Sequence, residues 1–207
     1  SHQAGITTGS GETLYLDDVF FSPPPVPTTG PSESPDEASS YVKSLFSNEY
    51  TNTVSSTFID GSGSAEDITL SGNTIKKADG GSLTVTPSSP LDLSLMETLR
   101  LDVWRTDETA ELRLTLTHSD DSEHTIVLSE ANGYPAPVVG QWTHFDVLLA
   151  DFTDLNSASS IDQITLSSHG GSQDAGETLY IDNLYTSKSP PALEITFDSG
   201  SYALANG

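Results

Sequence analysis

LRLDVWRTDETAELRLTLTH, residues 99–118, is the stretch on which the reading of this chain turns. In its first arm Leu99, Leu101 and Val103 alternate with Arg100, Asp102 and Trp104. In its second, Leu112, Leu114 and Leu116 alternate with Glu111, Arg113, Thr115 and Thr117. A period of two is that of a strand with one face buried and one face dressed, so the stretch reads as two amphipathic strands joined by a short acidic turn. The dressed face is unusual in composition. All three arginines of the chain, Arg100, Arg105 and Arg113, and one of its two tryptophans fall in this window. If the two strands pair, Arg100 and Trp104 share a face with Arg113, and such a face suits binding better than reaction. The competing assignment has Asp102 and Glu111 take the arginines in cross-strand ion pairs and a loop cover Trp104.

The same alternation recurs along the chain. Strands are expected at residues 53–59, 68–70, 74–77, 82–87, 98–105, 110–117, 124–128, 143–149, 160–167 and 178–185, separated by clusters of Gly, Asp, Asn and Ser. One helical pattern stands apart: Ala38, Tyr41, Val42, Leu45 and Phe46 recur at near-helical spacing behind Asp36 and Glu37, which predicts a short helix over 37–46. The class is all-β, with the strand spacing of a sandwich or barrel.

Organisation follows from a long repeat. Glu12-Thr13-Leu14-Tyr15-Leu16-Asp17 returns 165 residues later as Glu177-Thr178-Leu179-Tyr180-Ile181-Asp182. Residues 1–21 are therefore expected to be the last strand of a preceding module. Residues 22–36 carry six prolines among Ser, Thr and Gly and read as an extended spacer. Residues 37–187 form one whole β-sandwich module, 188–192 a short linker, and 193–207 the first strand of a following module.

Composition removes several classes. Seven Lys and Arg against thirty Asp and Glu give a net charge of -23, which repels nucleic acid and anionic lipid. The chain has no cysteine, hence no disulfide, thiolate metal site or Cys nucleophile. No apolar run reaches the roughly 20 residues of a membrane span. No GxSxG elbow positions a serine, and no carboxylate pair stands out for glycoside cleavage.

The segments SLFSNEYTN at 44–52, LRLDVWRTD at 99–107, GQWTHFDVLLADF at 140–152 and ETLYIDNLYTS at 177–187, in that order, resemble the galactose-binding-like jelly-roll carbohydrate-binding modules found in tandem in secreted bacterial polysaccharide-degrading proteins. The resemblance implies an antiparallel jelly-roll sandwich that is not an enzyme and that binds a polysaccharide. It also implies a secreted or cell-surface location, neighbouring modules as partners, and a structural calcium tying the first strand to the last. Glu49 and Asp182 are the matching calcium ligands, with Ser47 and Asn52 close by in sequence. The acidic turn at 60–67 is a weaker candidate, read mainly as a solvated loop.

Sugars stack their C–H faces on aromatic rings while planar polar groups grip their hydroxyls. Arg100, Trp104 and Arg113 are the expected ligand-binding residues, joined by Tyr134 as a loop platform and by Trp142, which opens a strand, a position more often given to the core. His118 and His124 bracket a polar hairpin that could hold a transition metal if they pair across the strands, and that reads mainly as a solvated turn with incidental histidines. A second function fits the repeat as well: a structural module of an extracellular adhesin, surface layer or filament, self-associating through the strand edges of 13–21 and 193–197.

Overall fold

The structure, a computed structural model, describes residues 23–107, 111–168 and 177–190, together with the backbone of two short strands that precede them. Those two, β1 (Gly5–Thr7) and β2 (Thr13–Tyr15), pair with each other antiparallel, where the sequence leads one to expect a single strand. Asp17 and the expected opening strand at 193–197 lie outside the described residues.

The first surprise is in 37–46. One 3-10 turn forms at Ser39–Tyr41, its N-cap Ala38 offering no capping side chain, and the chain then becomes strand β3 (Val42–Phe46). The expected helix is thus corrected to a strand. The reason is tertiary: β3 pairs with the last strand of the module, and that pairing outweighs a helical pattern of barely two turns.

The remaining strands are β4 (Ser56–Asp60), β5 (Glu66–Leu70), β6 (Asn73–Asp79), β7 (Ser82–Pro87), β8 (Thr98–Arg105), β9 (Arg113–His118), β10 (Glu123–Val127), β11 (Trp142–Leu148), β12 (Ile161–Ser167) and β13 (Thr178–Ser187). They build two antiparallel sheets, one ordered β10-β9-β12-β7-β4, the other β11-β8-β13-β6-β5 with β3 also on β13. The inward residues of both sheets meet in one core. Leu99, Leu101 and Val103 of β8, Phe145 and Val147 of β11 and Leu179, Ile181 and Leu184 of β13 face Leu114 and Leu116 of β9, Leu83 and Val85 of β7 and Ile164 and Leu166 of β12. The fold is an antiparallel β-sandwich.

Strands β8 and β9 do not pair. They belong to opposite sheets, so their leucines meet across the core instead of lying side by side. Alternation fixes which side chains point inward but says nothing about which sheet a strand joins, and both arrangements bury the same leucines.

Strand β13 organises the second sheet. One of its edges runs along β8; the other is shared end to end, β6 taking Thr178–Ile181 and β3 taking Leu184–Ser187. Where β6 gives way to β3 the register slips, and Asn183 sits in the left-handed region at φ 50°. This is a β-bulge, and it changes the phase of the strand: Tyr180 and Asp182 point to the outer face before it, Tyr185 and Ser187 after it.

Leu101 is 1% exposed at the centre of β8, whereas Leu148 at the end of β11 is 53% exposed. Urea denaturation is expected to show Leu101→Ala losing about 2–5 kcal/mol, with Leu148→Ala within about 0.5 kcal/mol of the parent.

Candidate functional site

The outer face of the β11-β8-β13 sheet carries the site. Register places Trp142 opposite Trp104, His144 opposite Asp102 and Asp146 opposite Arg100. On the other side of β8, Tyr180 lies beside Trp104, Asp182 beside Asp102 and Tyr185 beside Arg100. Three rows of side chains therefore cross three strands. One row is aromatic, one acidic with a histidine, and one combines cation, carboxylate and phenol.

The aromatic row is built by Trp104 and Trp142, whose rings meet edge to face with centroids 6.0 Å apart. In the middle row Asp102 is buried; its Oδ1 is 2.8 Å from His144 Nδ1, and its Oδ2 accepts from Asn183 Nδ2 at 2.7 Å. The bulge thus delivers Asn183 to Asp102, and Ser47 Oγ donates to Asn183 Oδ1 from the loop after β3. Asp182 is buried beside it, accepting from Asn73 Nδ2 at 2.7 Å and from the Asn183 backbone N–H. Burial, with Asp102 and Glu49 nearby, pushes the Asp182 carboxyl up to about 6. In the third row Arg100 forms ion pairs with Asp146 and Glu37, and Glu37 Oε2 accepts from the Tyr185 hydroxyl at 2.9 Å.

Two recesses open on this face. One, of about 310 Å³, is lined by Arg100, Asp102, His144 and Tyr185. The other, of about 350 Å³, is lined by Asn73, Asp182, Asn183 and Glu49. Glu33, Ser34 and Pro35 border both. The described part of the proline-rich stretch does not lead away from the module as a free spacer would; it crosses the face. Trp104 Nε1 donates to the Pro25 carbonyl at 3.1 Å, Trp142 Nε1 donates to the Thr29 carbonyl at 2.9 Å, and Pro27 between them is buried. Gly140, just before β11, allows the close approach: a Cβ there would come within 3.2 Å of the Pro25 ring. Ile75, Tyr180 and Tyr185 are buried although they stand outside the sandwich core, as a covered outer face requires.

The expected site residues divide accordingly. Arg100, Trp104 and Trp142 come together, and Glu49 and Asp182 reach one recess. Arg113 does not join them: β9 puts it on the opposite sheet, where its Nη2 meets Glu111 Oε2 at 2.7 Å. Arg105 points the other way from Arg100 and is buried in an ion pair with Glu177 at 2.8 Å. Tyr134 is corrected from exposed platform to core residue, 9% exposed with its hydroxyl donating to Asp151 Oδ2 at 2.7 Å. The acidic turn at 60–67 uses the Asp60 carboxylate internally, on Ser62, Gly63 and the Asp79 N–H. His118 and His124 stand on a true hairpin, β9–β10, but each turns to its own carboxylate, Asp120 and Asp154. Sequence reading missed His144, Asn73, Asn183, Tyr185 and Glu37. Pairing 98–105 with 143–149 in register would have found His144; the bulge that places Asn183 and Tyr185 left no periodic signal.

No protein-family model matches the chain, and no curated protein matches it in sequence. Solved structures do. A family 30 carbohydrate-binding module superposes with a TM-score of 0.50 at 15% identity, covering 72% of this chain and 99% of that one. The chain shares the jelly-roll β-sandwich fold of that module. A family 30 module from a cellulosomal cellulase of Clostridium thermocellum gives 0.48 at 15% identity, covering 67% and 94%. A family 11 module of the same organism, solved with a β-1,3-1,4-mixed-linked tetrasaccharide, gives 0.43 at 13% identity, covering 70% and 95%.

The hydrogen bond that His144 donates to Asp102, joined by the charges of Asp102 and Asp146, raises the His144 pKa above its ordinary 6.5. A raised histidine contributes stability that is fully present below 6.5 and is lost as pH climbs through the folded-state value. The difference in melting temperature between the parent and His144→Gln is therefore expected to be largest near pH 5.5 and to shrink by pH 9; a difference that grows with pH contradicts the assignment.

Proposed function

We propose that this chain is a non-catalytic polysaccharide-binding module, and that it binds glycan on the outer face of the β11-β8-β13 sheet. The observation that carries the reading is the union on one face of the Trp104–Trp142 pair with Arg100, Asp102 and His144 beside a recess of about 310 Å³. Indole rings offer stacking surfaces for the C–H faces of sugars, and the guanidinium and imidazole offer donors for hydroxyls in exchange for the Asp146 carboxylate they now share. The superposed family 30 module, named for carbohydrate binding, supports the same use of the scaffold. The 165-residue repeat supports a place in a secreted or cell-surface protein of several such modules, with neighbouring modules as further partners.

Calcium belongs to this proposal. Among the described residues no group of three or more His, Cys, Asp or Glu gathers as a metal site, so the case rests on two carboxylates and their surroundings. Glu49 and Asp182 line the same recess as the amides of Asn48 and Asn183, a set of hard oxygen donors of the kind calcium takes. A cation there would offset the cost of holding the Asp182 carboxylate ionised beside Asp102. Chelator-treated protein is expected to melt higher when calcium is added, and Glu49→Gln to abolish the rise. No calcium uptake by calorimetry would remove the ion from the account.

Affinity electrophoresis in gels containing mixed-linkage β-glucan, agarose or xylan tests the binding itself. Trp104→Ala is expected to weaken retardation about tenfold, or about 1.4 kcal/mol, and Arg113→Ala, on the other sheet, to leave it unchanged. Equal retardation of parent and Trp104→Ala would move the site off this face.

A further inference from the structure

The segment 23–36 rests on the two tryptophans that the proposed function needs for sugar. We propose that this segment is a built-in competitor for the glycan face, a strap that must leave the Trp104–Trp142 platform before a polysaccharide can occupy it; the inference rests on the glycan reading above.

The geometry is that of an occupied peptide-binding groove. Aromatic side chains that recognise proline-rich segments lay their rings against the pyrrolidines and donate ring N–H groups to main-chain carbonyls. Here both indoles donate their ring N–H, Trp104 to the Pro25 carbonyl and Trp142 to the Thr29 carbonyl, with Pro27 buried between the two contacts. The ring N–H groups held in this way are among the donors a sugar hydroxyl would need. Farther along, Glu33, Ser34 and Pro35 stand between the two recesses, so the strap also divides the trough that would run across β11, β8 and β13.

The strap is held in a manner that permits release. Six prolines remove six backbone donors between residues 22 and 36, and the segment adds no strand to either sheet. Its neighbours Pro23, Pro24, Pro25 and Val26 are exposed, Val26 at 58%. Its inner end is firmer, because Glu37 binds Arg100, Tyr185 and Tyr50. The hinge therefore lies at 35–37, and residues 23–31 form the part that can lift. Prolines also reduce the freedom gained on release, which tilts the balance toward the closed state. Glycan affinity is then scaled by the open fraction: a strap open in about one molecule in ten weakens apparent binding about tenfold.

The chain contains no cysteine, so an engineered pair can lock the strap reversibly. An ideal Cβ on Gly30 lies 3.1 Å from Asn73 Cβ, short of the roughly 3.5–4.5 Å of a disulfide by a few tenths of an ångström that a small shift of the strap supplies, and Gly30 lacks the positive φ that would strain a side chain. The test uses the full chain carrying Gly30→Cys and Asn73→Cys, compared with itself in oxidised and reduced form, in gels of mixed-linkage β-glucan, agarose and xylan. A second full-length variant, with residues 23–31 replaced by a Gly-Ser segment of equal length, releases the strap. Acrylamide quenching of tryptophan fluorescence follows the cover directly.

The strap account expects quenching to rise in the Gly-Ser variant and its apparent Kd to fall at least about tenfold. The oxidised pair should lose retardation and, on reduction, regain that of Asn73→Cys alone. Unchanged quenching in the Gly-Ser variant overturns the account, since the tryptophans were then never covered. Raised quenching with equal glycan affinity in the locked and released forms also overturns it while leaving the glycan reading intact. Failure of both the released and the reduced forms to bind any of the three polymers overturns the glycan reading, and the competitor role with it.

Discussion

The slip of register at Asn183 is the constraint on which the rest of this structure depends. Strand β13 needs to pair with β8 along its length and with β6 and β3 in succession on its other edge, and the bulge sits where one partner gives way to the other. Without the bulge, Tyr185 would follow Ile181 and Asn183 on the inward side, and Leu184 would turn outward. With it, Leu184 stays in the core while Tyr180, Asp182 and Tyr185 all face out. A single left-handed residue thus serves packing and display at once, and its side chain bridges Ser47 to the buried Asp102. Bulges that re-aim side chains next to binding surfaces are a recurrent device of β proteins.

Much of the fold was legible in the sequence because alternation is a direct record of which side chains are buried. Residues 98–105 and 82–87 are strands to the residue, and the others lie within a few positions of their expected limits. What alternation cannot record is partnership. The assignment of 99–118 as one hairpin failed because the leucines of β8 and β9 satisfy each other equally well across the core. The helix expected at 37–46 failed because five residues of strand pairing with β13 outweigh a short helical pattern without a cap.

The site was half legible for the same reasons. The concentration of arginine and tryptophan did mark a special strand, and Arg100 and Trp104 stand together on it. The acids spread through the sequence concealed their uses: Glu37 and Asp146 hold Arg100, Glu177 holds Arg105, and Glu111 holds Arg113. On a chain of charge -23 each guanidinium finds a carboxylate at hand, so an arginine is a less free ligand group than its rarity suggested. Tyr134 misled because a loop aromatic after Gly133 reads as exposed, whereas its ring fills a gap in the core and its hydroxyl reaches Asp151. The proline-rich stretch was read from composition as a spacer; composition gave its extended, donor-poor character but not the face it lies against.

The central claim is that glycan is bound on the face bearing Trp104 and Trp142. Because the chain has two tryptophans, its nitrogen–proton correlation NMR spectrum should contain two indole Nε1–H signals. Titration with a soluble oligosaccharide of the polymer that retards the chain in gels reads both at once, against the carbonyl hydrogen bonds they now make. The account predicts that both indole signals shift together and that the His144 ring signals move with them. Saturable binding whose perturbations fall instead on Thr84, Thr115 and Thr165 of the opposite sheet, with both indoles unmoved, would contradict it.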